Sequence, residues 1–102
     1  MKTAAIAIPD ERIADLCRRH HIRKLSLFGS VLTADFGPDS DVDVLVEFEP
    51  GRTPGLALIR IENELSELLG GRRVDLVIES ALNRRVRKHV LAGAEVRYAA
   101  EG

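Results

Sequence analysis

The stretch LFGSVLTADFGPDSDVDVLVEF, Leu27 to Phe48, decides how this sequence folds. Its last part alternates: Val42, Val44, Val46 and Phe48 fall on one side of an extended chain, the buried face of a half-exposed strand running from Asp41 to Phe48. Asp41 and Asp43 fall on the other side, next to each other, although aspartate is depleted in strands. Carboxylates roughly 7 Å apart on one strand face repel each other unless a cation lies between them. Upstream, Leu25 and Leu27 alternate in a strand that ends at Gly29, and Ser30 opens a short helical stretch over VLTADF. GPDS reads as a plain turn. About a dozen residues join the two strands, which allows either a hairpin-like return or a crossover.

Outward from this centre the pattern is regular. PDERIADLCRRHHI carries Ile13, Leu16 and Cys17 at helical spacing, with an acidic first turn and a basic last one, and predicts a helix from about Pro9 to His20. On the other side, EPGRTPG is a Pro/Gly loop. LALIRIENELSELLGG then places Leu58, Ile61, Leu65, Leu68 and Leu69 on one helical face, with Gly70 and Gly71 as the stop. RRVDLVIES predicts a strand with Val74, Leu76 and Ile78 on one face and Asp75 and Val77 on the other. ALNRRVRKHVLAG reads as a last helix with Leu82, Val86, Val90 and Leu91 inward, and AEVRYAA as a short edge strand. The expected fold is α/β (α+β): a small mixed sheet with its helices on one face, in a single domain spanning residues 1–102.

Composition narrows the functions. The 102 residues suffice for one core, and 45% apolar with 30% charged content is that of a globular chain. The formal charge of −1 means that any phosphate recognition is local, and few aromatics with no Trp argue against a base-stacking platform for nucleic acid. No segment approaches a membrane span. The lone Cys17 excludes an intrachain disulfide, reads as a small core residue, and suits a cytoplasmic protein.

Gly29-Ser30 stands where a strand gives way to a helical turn. Glycine there lets a bound group approach the backbone, and the first amides of the turn point outward, which suits phosphate; a simple helix cap is the bland alternative. Asp41 and Asp43 offer hard oxygen ligands for a cation such as Mg²⁺, which keeps water and substrate phosphate in its remaining positions. Two such ions can clamp the attacking and leaving oxygens of an in-line displacement at phosphorus. Asp75, again opposite an apolar stripe, reaches the same metal if its strand pairs beside Asp41–Phe48, or accepts the proton of an attacking hydroxyl. Taken singly, each aspartate also fits a solvated strand face.

Gly29-Ser30, ten intervening residues, Asp41-x-Asp43 and the later Asp in VDLV strongly resemble the minimal nucleotidyltransferases of the DNA polymerase β superfamily. The nearest resemblance is to the MNT-domain proteins of bacteria and archaea, antitoxin partners of HEPN-domain toxins. It implies a nucleotidyltransferase-like core whose Gly29-Ser30 turn holds the triphosphate of ATP. Asp41 and Asp43 would be ligands of two Mg²⁺ ions, with Mn²⁺ as a substitute, and Asp75 a ligand of the ion that activates the acceptor hydroxyl. AMP would pass to that hydroxyl, as MNT antitoxins pass it to a tyrosine of the HEPN ribonuclease toxin. Many relatives carry an Arg soon after Gly-Ser, as in GSRARG; here GSVLTAD follows, with no basic residue between Lys24 and Arg52. That departure bears on phosphate affinity more than on activity.

Two rivals remain at this level: an antitoxin that acts by occlusion without catalysis, and transfer to a small molecule or an RNA end. The basic run RRVRKHV, Arg84 to Val90, reads as a solvated face or as a contact for nucleotide or an acidic partner. His20, His21 and His89 have no zinc-ligand spacing.

Overall fold

The computed structural model describes residues 9–33, 37, 40–52 and 54–100, apart from the Ser30 side chain. A helix α1 (Asp10–Arg19) leads into strand β1 (Ile22–Phe28) and a single 3₁₀ turn (Gly29–Leu32). Strand β2 (Val42–Phe48), helix α2 (Ala57–Leu68) and strand β3 (Val74–Ile78) follow. After a second 3₁₀ turn (Glu79–Ala81) come helix α3 (Arg84–Gly93) and strand β4 (Glu95–Ala99). Residues 34–36, the end of the predicted helical stretch, lie outside the described residues.

The four strands form one sheet in the order β3-β2-β1-β4. β1 returns antiparallel onto β2, which settles the choice between hairpin-like return and crossover. β2 and β3 run parallel, as a connection through α2 requires, and β4 closes the other edge antiparallel to β1. The sheet is therefore mixed, as the order of the elements predicts.

One face of the sheet carries the core. Leu25 and Leu27 of β1, Val42, Val44 and Val46 of β2 and Val74 of β3 pack against Ile13, Leu16 and Cys17 of α1 and Ile61, Leu65 and Leu69 of α2. Leu16, Val44, Ile61 and Leu65 are wholly excluded from solvent. Truncating Leu65 to Ala in such a setting costs about 2–5 kcal/mol. A bulge in β4 brings Glu95 and Arg97 together at 2.7 Å, and Arg97 also reaches Asp10 at 3.1 Å, tying the edge strand to the start of α1. α2 stops where the glycines predict it: Gly71, at φ +83°, donates its amide to the Ser66 carbonyl at 2.8 Å.

The third helix departs from expectation. α1 and α2 share the core face, but α3 lies over the opposite one, where Arg87 faces Glu79 and where His89, Val90 and Gly93 flank Phe28 and Gly29. Leu45 and Ser26 point to this second face and are still 2% and 1% exposed, so this face too is covered in part. α3 buries none of its own residues fully, and Val86, expected inward, is 42% exposed. The reason is charge: with five basic or His positions in ten residues, the helix has only a narrow apolar strip to offer.

Candidate functional site

The second face of the sheet also bears the carboxylates. Along β2 the residues that leave the core side are Asp43, Leu45 and Glu47; along β3 they are Asp75 and Val77. The parallel register sets Asp43 directly opposite Asp75 and Val42 opposite Val74. Adjacent strands stand about 4.8 Å apart, so the two carboxylates are neighbours on one surface. Asp41, immediately before β2, continues the same face. Asp41 and Asp43 are half-buried and Asp75 is exposed.

Gly29 completes this grouping from β1. Phe28 is the register partner of Asp43, so the first residue of the turn lies against the Asp43 side chain. A Cβ built on Gly29 would overlap Asp43 Oδ2 and stand 3.1 Å from its Cγ, and φ at Gly29 is +77°. Glycine is the residue that meets both demands. The turn that follows is four residues of 3₁₀ helix, Gly29–Leu32, among the described residues. Any hold on phosphate would therefore come from individual amides in a nest-like bend more than from a helix dipole. Ser30 lies in this turn; its hydroxyl is outside the described atoms.

The approach to Asp41 is braced from below. The Ser40 amide donates to the Gly37 carbonyl at 3.1 Å, and the Gly37 amide donates to Ser40 Oγ at 3.0 Å. Arg72 Nη1 donates to the Gly37 carbonyl at 3.2 Å, and the carbonyl of Arg72 accepts from Ser66 Oγ at 2.6 Å. Residues 38 and 39 of the predicted turn lie outside the described residues. Arg73 Nε stands 3.8 Å from Asp41 Oδ1. Sequence reasoning assigned neither arginine a role. The available signal was spacing: in RRVD, Arg73 and Asp75 are two apart on a strand and so share a face.

The donor set fits a hard divalent cation. Three carboxylates share one face, two of them in cross-strand register, above a glycine that leaves room for one of them. Among the described residues no three such side chains are drawn together into a ready cage. Asp41 leans instead toward Arg73, and Asp43 lies over Gly29.

Two clefts open on the surface, and one of them adjoins the site. One, of about 250 Å³, lies between the Gly29 turn and α3, with Phe28, Leu32, Thr33 and His89 among its walls. The other, of about 360 Å³, lies between α1 and α2, away from the aspartates. Three of its charged residues pair with one another: Arg19 with Asp15 at 3.0 Å and with Glu64 at 2.9 Å, and His20 bonds Glu64 at 3.0 Å. The Arg19 hydrogen bond holds the Glu64 carboxyl below its ordinary range. Further along the second face, burial and then the charge of Glu47 push the Glu79 carboxyl up, with Lys24 and Arg87 partly offsetting them.

The nucleotidyltransferase domain family matches residues 10–96 of this chain. The chain is 42% identical over 78 residues to protein adenylyltransferase MntA of Thermococcus cleftensis, covering 76% of each chain. It is similar to a solved chain described as a minimal nucleotidyltransferase, with a TM-score of 0.71 at 44% identity over 83% of this chain and 85% of that one. At 20% identity the fold also matches a solved complex of a tri-AMPylated HEPN toxin of Shewanella oneidensis with its MNT antitoxin. There the TM-score is 0.65, over 89% of this chain and 70% of that one.

Proposed function

The chain belongs to the nucleotidyltransferase domain family, and we propose that it transfers AMP from ATP to a hydroxyl of a partner protein. The observation that carries this reading is the register of Asp43 against Asp75, with Gly29 closed up beneath Asp43. In this reading Asp41 and Asp43 hold Mg²⁺ with the triphosphate, and the amides of the Gly29–Ser30 turn take its β- and γ-phosphates. Bound Mg²⁺ supplies charge neutralisation on the phosphates and acidity at the acceptor hydroxyl. Asp75 orients that hydroxyl and stabilises it as its proton leaves, either to a carboxylate oxygen of Asp75 or to water. The hydroxyl oxygen then bonds to the α-phosphorus, the bond from that phosphorus to the bridging oxygen breaks, and pyrophosphate departs.

We take the domain to span residues 1–102 and to act on an acceptor that another protein supplies. That partner presents its own hydroxyl. The Shewanella oneidensis relative is bound to a HEPN toxin that carries AMP, and we assign this chain the same class of partner, with a tyrosine as acceptor and silencing of the toxin as outcome. The reading also places the protein in the cytoplasm, where ATP and Mg²⁺ are supplied; among the described residues no helix is long and apolar enough to cross a membrane.

The test is Asp75→Asn, read by intact mass of the partner beside a pull-down. Transfer of AMP should fall by at least about 10²-fold while Mg·ATP affinity and complex formation persist, because positioning and activating a nucleophile contributes about that much. Transfer at the wild-type rate would reduce Asp75 to a surface residue. A wild-type chain that binds its partner and modifies it with no nucleotide acts by occlusion.

A further inference from the structure

Arg73 belongs to the same surface patch as the three aspartates. Val42 pairs with Val74 and Asp43 with Asp75, and the Val42 amide donates to the Arg73 carbonyl at 2.9 Å. Asp41 and Arg73 are therefore the next cross-strand neighbours on this face. Their side chains form an ion pair at 3.8 Å, too long for a hydrogen bond. The Arg73 side chain is 85% exposed, so packing does not account for its place, and an isolated pair of this kind contributes little to stability. Its effect is local: it draws Asp41 toward a guanidinium the chain itself carries.

The sheet order says which side of the site Arg73 serves. Gly29 flanks Asp43 from β1, whereas β3 lies beyond Asp43 at the opposite edge. The phosphate-ready turn and Arg73 thus bracket the carboxylates from two sides, and Arg73 stands on the side of Asp75. A guanidinium there is poorly placed for the departing pyrophosphate and well placed for whatever carries the attacking hydroxyl.

We propose that Arg73 is an acceptor-side positioning residue: it pairs with Asp41 in the metal-free chain, and when Asp41 serves the cation, its guanidinium holds an oxyanion of the acceptor beside the attacking hydroxyl. This rests on reading Asp41, Asp43 and Asp75 as the cation site of adenylyl transfer. The oxyanion is a carboxylate of the acceptor protein or the phosphate of an AMP already attached; guanidinium takes both in the same forked geometry.

The experiment compares wild type, Arg73→Ala and Arg73→Lys, all of which should fold alike because the side chain is exposed. Calorimetric titration with Mn²⁺ alone should give several-fold tighter binding for Arg73→Ala, which has lost the competitor for Asp41. Intact-mass kinetics with the partner should show for Arg73→Ala a rise of about tenfold in KM for the acceptor, with KM for ATP within about twofold, and only partial recovery in Arg73→Lys, which keeps the charge and loses the fork. A defect in the first addition identifies a carboxylate, and a defect confined to later additions identifies transferred phosphate. Unchanged Mn²⁺ affinity, or a raised KM for ATP with an unchanged acceptor KM, overturns the assignment. If wild type itself transfers no AMP, the adenylyl-transfer reading falls with it; normal transfer by Arg73→Ala overturns only the role of Arg73.

Discussion

A methyl group at position 29 would have to share space with the Asp43 carboxylate, on a residue whose φ of +77° already disfavours any side chain. Gly29→Ala should therefore destabilise the chain by about 1–3 kcal/mol through backbone strain alone. It should also push Asp43 off its position and abolish Mg·ATP binding. Thermal melting and calorimetry on the same sample separate the two effects. Unaltered nucleotide affinity would show that the carboxylate does not work from where it rests. The sequence announces this position as a strand-ending glycine before a turn. What it cannot announce is the contact with Asp43, because that depends on an antiparallel register set by residues far along the chain.

Among the elements, α3 is the one whose loss the rest of the fold would notice least. Its start is capped by Asn83, whose Oδ1 accepts from the Val86 amide at 2.9 Å, and none of its residues is fully buried. Asn83→Ala should cost the helix about 0.5–2 kcal/mol. Most of that should appear as faster amide exchange within α3, with a much smaller change in the global melt. A matching drop in the global melt would mean that α3 is integral to the core. Below α3, Glu79 favours its proton more in the folded chain than in the unfolded one. Stability should consequently decline as pH climbs from about 4.5 through the raised value, and Glu79→Gln should remove that slope from denaturant curves measured across the range. These elements also mark the limit of legibility. The apolar stripes of α1, α2 and the first three strands are strong enough to read directly. The stripe of α3, diluted by Arg84, Arg85, Arg87 and Lys88, gives its existence and not its side of the sheet. The aspartates are legible as residues; for Arg73 the spacing to Asp75 gives the shared face, but its pairing with Asp41 appears only once the strands are in register.

At the scale of the whole molecule, Cys17 is a built-in reporter. It is fully buried, and burial pushes its thiol up to about 12, so it is both shielded and protonated at neutral pH. Labelling by a thiol reagent should proceed only as fast as the core opens, and a maleimide reaction far faster than unfolding would contradict the packing. The parallel pairing of β2 with β3 has a consequence in time. β3 is an edge strand of five residues, joined to β2 through the α2 crossover, so its pairing closes a longer loop than the β1–β2 return does. Asp75 should therefore meet Asp43 late in folding and part from it early on heating, while the β1–β2 hairpin still stands. On slow warming, transfer of AMP to the partner should vanish several degrees before Cys17 begins to react. Such a chain switches its chemistry off while most of its architecture survives, and regains it by re-docking one short strand.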